Sequence, residues 1–200
     1  MPLSISSAAS KAELRKQCKA FRQGLSYMEK YLCENAIVKW VLALPDYQQA
    51  QLVLLYLSTE EEIDTRVLVA HALLSGKKVA VPRCRPGSRI IDFCFFDDYR
   101  QLVSGFYGIA EPPPDAAILS QADLVGSFCI VPALAAAVNG QRLGYGGGYY
   151  DRFLADFCGT TAVLTYDECV FPQLPTEATD IAVKYIITPS GIKKAIKAKL

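Results

Sequence analysis

The stretch that decides the fold class is residues 52–82, which reads LVLLYLSTEEEIDTRVLVAHALLSGKKVAVP. It opens with an apolar run at 52–57 that has no polar alternation, as is typical of a β-strand buried on both faces. A helix capped by Asp64 or Thr65 should follow and end before Gly76, and the next apolar run predicts a second strand. Strand, helix and strand at this spacing predict a right-handed parallel βαβ unit.

Helical and strand patterns continue on both sides of this unit. Apolar residues recur at spacings of three and four over residues 11–25, and the capping-box pair Ser26 and Glu29 predicts a second helix to about Leu44. Further segments are predicted as strands at 90–96, 124–131, 161–166 and 183–187, and a helix is predicted from Tyr149 to about Phe157. A short C-terminal helix is predicted from Pro189, ending in Lys193, Lys194, Lys197 and Lys199. The alternation predicts an α/β protein with a mainly parallel or mixed open sheet, helices on both faces and a Rossmann-like layered architecture.

Length, composition and charge limit the class of protein. The chain has 200 residues, of which 52% are hydrophobic, so it can bury a full core without disulfides or metal ions. We expect residues 1–10 to form a loose tail and residues 11–200 to form a single α/β domain. A formal net charge of +1 argues against a nucleic-acid-binding protein, which usually carries a large basic excess.

Cysteine usage and hydropathy indicate the compartment. The seven cysteines are scattered and have no C-x-x-C spacing, which argues against a disulfide framework or a zinc cluster. The N-terminus lacks the pattern of a secretory signal, and no apolar stretch approaches the roughly 20 residues of a membrane span. We therefore expect a soluble cytoplasmic protein that does not associate with a membrane. Separately, we expect a monomer.

The strongest candidate site is NGQRLGYGGGYYDR, residues 139–152. Its glycines between 144 and 148 leave backbone N–H groups accessible to phosphate oxygens. A helix that begins near Tyr149 would direct its N-terminus at the same anion. Arg142 adds a full positive charge, and Asp151 could hold a metal ion that bridges phosphates. A plain glycine turn is the alternative.

Two familiar nucleotide motifs fit this stretch less well. A P-loop requires Lys followed by Ser or Thr after its last glycine, but Gly148 is followed by Tyr149. A dinucleotide fingerprint requires glycine at the first, third and sixth places, and the sixth place from Gly144 is again Tyr149, although Asp167 lies at the distance of a ribose-binding acid. A nicotinamide-dependent oxidoreductase is thus a minor alternative.

Charged residues elsewhere are weaker candidates. Lys11 and Arg15 lie four apart on a predicted helix and could clamp a polyphosphate, although a solvated helix face is the simpler interpretation. Glu62 follows the carboxyl end of a predicted strand, where ligands bind in such sheets. Asp180 precedes a strand. The only histidine, His71, lies inside a predicted helix, which argues against a histidine-based catalytic triad.

The glycine–tyrosine segment resembles the signature of 5-formyltetrahydrofolate cyclo-ligases, also called methenyltetrahydrofolate synthetases. Other segments follow in the order of that family: Lys11-x-x-x-Arg15, Glu62-Ile63-Asp64-Thr65, Val81-Pro82-Arg83, Gly108-Ile109-Ala110-Glu111-Pro112, Ile130-Val131-Pro132-Ala133-Leu134, and Leu174-Pro175 with Asp180. The resemblance extends from about residue 11 to residue 189.

This resemblance implies an enzyme that uses ATP and Mg²⁺ to convert 5-formyltetrahydrofolate to 5,10-methenyltetrahydrofolate. It implies an ATP site at Lys11, Arg15, Arg142, Leu143, Gly144, Tyr145, Gly146, Gly147, Gly148, Tyr149 and Tyr150. It places the folate substrate against Leu57, Glu62, Tyr149 and Tyr150, and Mg²⁺ on Asp151 and Asp180. No single general base is identified.

The chain departs from the family pattern at two places. Ala136-Ala137 stands where many members have Phe-Asp, and Thr179 stands where a histidine is usual. These differences motivate an alternative function, a non-catalytic folate- or nucleotide-binding protein on the same scaffold.

Overall fold

The protein is described by a computed structural model over residues 9–105 and 108–196. Its helices are α1 Lys11–Gly24, α2 Tyr27–Ala43, α3 Pro45–Gln49, α4 Arg66–Leu74 and α5 Tyr149–Ala155. Its strands are β1 Leu52–Leu54, β2 Lys78–Cys84, β3 Ile91–Phe96, β4 Val103–Ser104, β5 Ala110–Glu111, β6 Phe128–Val131, β7 Ala135–Ala137, β8 Arg142–Leu143, β9 Thr160–Leu164, β10 Val170–Phe171, β11 Tyr185–Thr188 and β12 Gly191–Lys194.

The largest sheet has seven strands in the order β12, β11, β9, β6, β1, β2 and β3. The neighbouring strands from β11 to β2 run parallel. At the two edges, β12 and β3 pair antiparallel to their neighbours. The predicted α/β class with a mainly parallel or mixed sheet is confirmed, and the predicted βαβ unit is β1, α4 and β2.

Apolar side chains pack on both faces of this sheet. On β1, Val53 belongs to the core cluster that includes Leu14 of α1 and Ile37 of α2. The next residue, Leu54, belongs to a second cluster that includes Leu154 of α5. Successive strand residues point to opposite faces, so helices cover the sheet on both sides, as predicted.

Local capping residues set the starts of the first two helices. Ser26 and Glu29 form the predicted capping box at α2, with reciprocal side-chain and backbone hydrogen bonds. Ser10 and Glu13 form a second one at α1, so the end of the predicted tail has a structural role. At α4 the N-cap residue is Thr65, and the Asp64 carboxylate accepts a hydrogen bond of 2.8 Å from the Arg66 N–H.

The predicted C-terminal helix is wrong, because residues 191–194 form strand β12. This strand pairs antiparallel with β11 from Thr188–Gly191 to Tyr185–Lys194. Gly191, with φ of 146°, follows the turn that reverses the chain. Pairing with the open edge of β11 satisfies more backbone groups than an isolated helical turn would. Of the lysines predicted to end the helix, Lys197 and Lys199 lie outside the described residues.

The sequence also missed a small sheet of β10, β7 and β8. Its central strand is Ala135–Ala137, which is fully buried. Two predicted strands, 52–57 and 124–131, are shorter in the structure, since regular pairing covers only β1 and β6. Among the described residues, no helix is sufficiently long and apolar to cross a membrane.

Candidate functional site

A cavity of about 930 Å³ lies where the parallel strands β1, β2 and β6 end. Tyr56 and Leu57 follow β1, Pro82 lies on β2, and Pro132 follows β6. Every residue predicted to bind ATP, folate or Mg²⁺ lines this cavity. The fold therefore brings together residues that are more than 160 positions apart in the chain, although their individual roles remain predictions.

The glycine loop forms one wall of the cavity, and α1 holds it in place. Arg15 Nε donates a hydrogen bond of 2.8 Å to the Gly144 carbonyl oxygen. Gly146 has φ of +103°, and Gly148, the N-cap residue of α5, has φ of +67°. Side chains other than hydrogen are disfavoured at these angles, so the glycines are needed for the path of the loop. Helix α5 ends at Ala155, two residues earlier than the sequence predicts.

A buried arginine lies against one of the predicted metal ligands. Arg142 Nη2 donates to Asp151 Oδ1 at 2.9 Å, and the arginine side chain is only 4% exposed. The same carboxylate oxygen accepts a hydrogen bond of 3.1 Å from the Ile181 N–H. Arg142 Nε is buried and has no hydrogen-bond partner among the described residues. A buried cation with an unused donor is suited to an incoming anion.

Asp180, the second predicted metal ligand, forms an ion pair with Lys11, one of the residues predicted to bind ATP. Lys11 Nζ lies 2.7 Å from Asp180 Oδ2 and 2.9 Å from Glu177 Oε1. Burial alone would lower the pKa of Lys11, but hydrogen bonds to both carboxylates raise it. Burial opposes ionisation of Asp180, but bonds from Lys11 and the Glu177 N–H hold its pKa below the usual range. Both groups are therefore charged at neutral pH.

Glu62 also lines the cavity and lies in the segment that follows β1. Its Oε2 accepts hydrogen bonds from the Thr59 N–H at 2.9 Å and the Thr59 hydroxyl at 3.0 Å. Burial nevertheless raises the pKa of this carboxyl, because desolvation outweighs the two hydrogen bonds. Glu62 is thus a carboxyl group that the fold holds in the cavity at some cost in free energy.

Arg22 supports the loops around the cavity, and the sequence analysis did not identify it. It is buried in α1 and donates to the carbonyl oxygens of Ala133 at 2.7 Å, Leu134 at 3.0 Å and Glu61 at 3.1 Å. It therefore ties α1 to the loops that follow β1 and β6. In the sequence Arg22 is one of many basic residues in the first helix, and spacing alone does not distinguish it.

The residues at which the chain departs from the family pattern differ in their position relative to the cavity. Ala136 and Ala137 lie in buried strand β7 and do not line the cavity themselves, but Ala136 pairs with Arg142, which does. Thr179 lines the cavity directly. Asp167 accepts hydrogen bonds from the backbone and hydroxyl of Ser190, which gives it a structural role instead of the ribose-binding one. His71, as predicted, has a structural partner, with Nδ1 at 3.2 Å from the Tyr47 hydroxyl.

The chain is similar to several known proteins. The chain is 32% identical over 159 residues to the 5-formyltetrahydrofolate cyclo-ligase of Escherichia coli K12. That alignment covers 76% of this chain and 85% of the relative. It is 32% identical over 124 residues to a probable 5-formyltetrahydrofolate cyclo-ligase of Schizosaccharomyces pombe, with 61% of this chain and 60% of the relative aligned. The aligned part of the Mycolicibacterium smegmatis relative is similarly limited, at 64% of its length.

A solved structure and a family model extend the likeness over most of the chain. The structure of Aquifex aeolicus 5,10-methenyltetrahydrofolate synthetase superposes with a TM-score of 0.79 and 29% identity, covering 95% of each chain. Residues 7–189 match the model of the 5-formyltetrahydrofolate cyclo-ligase family. The chain therefore belongs to the 5-formyltetrahydrofolate cyclo-ligase family.

Proposed function

We propose that this protein converts 5-formyltetrahydrofolate to 5,10-methenyltetrahydrofolate, with ATP as co-substrate and Mg²⁺ as the metal ion. ADP and phosphate are the other products. The observation that carries the proposal is one cavity in which a glycine loop, one buried and two half-buried cationic side chains, and two separate carboxylates meet a partly apolar wall. Family membership supplies the reaction, and the cavity has groups suited to each reactant.

The triphosphate fits the glycine-loop end of the cavity. Arg142 has a buried Nε that lacks an acceptor in the described part of the chain, and a phosphate oxygen would satisfy it. Arg15 and Lys11 bring two more positive charges to the same end. Since the loop is held by Arg15 and by its glycine conformations, binding requires little further ordering of the backbone.

Mg²⁺ fits Asp151 and Asp180, which come from α5 and from the segment before β11. Within the described ranges no cluster of three or more acidic, cysteine or histidine residues could hold a metal ion. That suits Mg²⁺ bound to a nucleotide, which uses one or two carboxylates together with phosphate oxygens and water. When bound, the ion would neutralise negative charge on the triphosphate.

Ligand binding requires these charged groups to exchange partners. Arg142 and Lys11 are paired with Asp151 and Asp180 in the structure. We infer that the two cations turn to phosphate oxygens while the two carboxylates turn to the metal ion. Neither exchange is favourable alone, because it would leave charged groups buried and unpaired. Nucleotide and Mg²⁺ should therefore bind together.

The chemistry then needs mainly positioning. The formyl oxygen of the substrate resembles an amide oxygen and is a poor leaving group. Transfer of the γ-phosphoryl group from ATP to it releases ADP and creates a good leaving group. N10 of the folate then attacks the formyl carbon and loses its proton, and phosphate departs. Phosphoryl transfer relies on orientation and charge stabilisation, so a site without a catalytic histidine can perform it. Leu57, Glu62, Tyr149 and Tyr150 would orient the folate.

An absorbance assay tests the proposal. Protein, ATP, Mg²⁺ and 5-formyltetrahydrofolate should yield the absorbance band of the methenyl product, and omission of either ATP or Mg²⁺ should abolish it. Absence of product at every enzyme concentration would reject catalysis. Calorimetry would then distinguish the alternative, since tight folate binding without release of ADP indicates a non-catalytic binding protein.

A further inference from the structure

A nearly buried carboxylate without a cationic partner lies at the cavity, on β5. Glu111 is the last residue of β5, is only 7% exposed and lines the cavity. It belongs to the Gly108–Pro112 segment of the family order, and the proposed reaction uses no residue of this segment. Among the described residues, no ion pair includes Glu111. Glutamate is rarely buried to this degree without a partner, so its place at a cavity indicates a ligand that supplies donors.

Cys84 of β2 gives this carboxylate a weak donor and lines the same cavity. Burial raises the pKa of the Cys84 thiol to about 11, and the charge of Glu111 and a hydrogen bond to its carboxylate act in the same direction. The thiol therefore stays protonated and donates to the carboxylate. An ionised carboxylate can accept about four hydrogen bonds, and a thiol is a weak donor, so within the described chain most of this capacity is unused.

The chain leaves space for the carboxylate at Gly105. A Cβ atom at that position would collide with the Glu111 carboxylate, at 2.5 Å from its Cδ atom. The φ of Gly105 lies outside the left-handed range, so the local backbone does not itself require glycine. The absence of a side chain at Gly105 thus allows the observed position of the carboxylate.

The surroundings of Glu111 indicate which part of the substrate it meets. Cys84 and its strand neighbour Ile91 pack in the same apolar cluster as Tyr149 and Tyr150, which we propose to orient the folate. A carboxylate would repel both the triphosphate and the glutamate carboxylates of the folate. The pterin ring is flat and uncharged, and it presents two adjacent donors on one edge, N3–H and the 2-amino group.

We propose that the Glu111 carboxylate accepts hydrogen bonds from N3–H and the 2-amino group of the pterin ring. Two parallel N–H···O bonds to one carboxylate have the geometry of an arginine–carboxylate pair, which adds orientation as well as affinity. The inference rests on the proposed function and extends it to a specificity-determining contact. It predicts that the benefit of Glu111 depends on the amino group of the ligand.

The test measures binding of 5-formyltetrahydrofolate and of its 2-desamino analogue by calorimetry, without nucleotide so that no turnover occurs. In wild type, loss of the 2-amino group should weaken binding about 10-fold, as expected for one hydrogen bond to a charged group. Glu111→Gln should weaken binding of the parent compound about 10- to 100-fold and reduce the ratio of the two dissociation constants toward one. The reason is that the amide replaces one acceptor with an NH₂ group, which opposes the donors of the ligand. The affinity for ATP should not change.

Gly105→Ala tests the same contact with the carboxylate still present. Its Cβ atom should displace the Glu111 carboxylate, so the ratio of the two dissociation constants should again fall toward one. The charge of the cavity is unchanged in this variant. It also supplies the measurement if Glu111→Gln does not fold.

Glu61→Gln is the matched control. Glu61 also lines the cavity but pairs with Lys19 at 2.8 Å, so its variant should keep the wild-type ratio. The proposal is overturned if Glu111→Gln leaves the ratio at the wild-type value, whether or not both affinities fall, or if it weakens ATP binding instead. A wild-type protein that binds neither folate would defeat the proposed function itself, a result distinct from the loss of this contact.

Discussion

Two clusters of charged and polar groups lie at opposite ends of the parallel strands. At the amino end, Asp46 accepts hydrogen bonds from Lys184, Tyr185 and Thr160, and we call these four residues the amino-end cluster. At the carboxyl end lie the cavity and its paired ions. Both clusters join distant segments, but only at the cavity end do described residues leave buried donors without acceptors.

The difference separates a structural cluster from a binding site. The Asp46 carboxylate uses three donors, and the bond from Lys184 helps to lower its pKa below the usual range. In the cavity, burial instead raises the pKa of Glu62, and both Arg142 Nε and Tyr150 Oη lack partners within the described chain. The polar groups of the amino-end cluster have hydrogen-bond partners within the protein, whereas some of those at the cavity end do not. Groups without partners are expected at a site that binds ligands.

The largest expected effect is the fall in turnover when the negative charge of Asp151 is removed. Asp151→Asn keeps an oxygen that can accept from the Ile181 N–H but removes the negative charge. We expect turnover in the methenyl assay to fall about 100- to 1000-fold per folded molecule, because charge stabilisation in the site is lost. Binding of Mg²⁺ in the presence of ATP, measured by calorimetry, should weaken in parallel.

Asp92→Asn is the matched control for Asp151→Asn. Asp92 is also a buried carboxylate bonded to an arginine, at 2.7 Å and 2.8 Å from Arg85, but it does not line the cavity. Its variant should lose stability and keep wild-type turnover per folded molecule. Equal losses of turnover in both variants would contradict a specific role for Asp151.

A smaller effect, on stability alone, is expected in the amino-end cluster. Asp46→Ala should lower the free energy of unfolding by about 1 kcal/mol, since the pair with Lys184 is partly exposed and screened by solvent. For a chain of this length that corresponds to a fall in Tm of about 2–4 °C. Turnover per folded molecule should not change. Because the pKa of Asp46 is lowered, its contribution should be present at neutral pH and disappear as the pH falls below about 4.

The smallest effect, and one of opposite sign, is expected for Glu62. Its folded-state pKa is raised, so the native protein binds the proton more tightly and loses stability as the pH rises from about 4 through that pKa. Glu62→Gln keeps an oxygen for Thr59 and removes this cost. The variant should therefore be more stable than wild type at pH 7 and equal to it near pH 4, as measured by urea unfolding.

Glu61→Gln is the control for Glu62→Gln. The hydrogen bond from Lys19 lowers the pKa of Glu61, so its variant should show no gain in stability at pH 7. A gain at pH 7 in both variants would indicate a general effect of acidic charge near the cavity, and not the burial of Glu62.

The sequence by itself determined the features that depend on neighbouring residues. The capping box at Ser26, the buried run of β1 and the glycines around Gly146 all act over a few positions, so their patterns are visible without the fold. The residues that the family resemblance implies for ATP, folate and Mg²⁺ all line one cavity, and their roles stay predictions. Their common location follows from a general rule, since the carboxyl ends of parallel strands lie at one edge of the sheet.

Only the tertiary structure decided features whose free energy comes from distant partners. Residues 191–194 became a strand because β11 offers an open edge, and Ala135–Ala137 became one between β8 and β10. The role of Arg22 depends on carbonyl groups more than 100 positions away, at Ala133 and Leu134. Hydrogen-bond partners and burial arise when segments meet, and for that reason the unpaired hydroxyl of Tyr150 has no signature in the sequence.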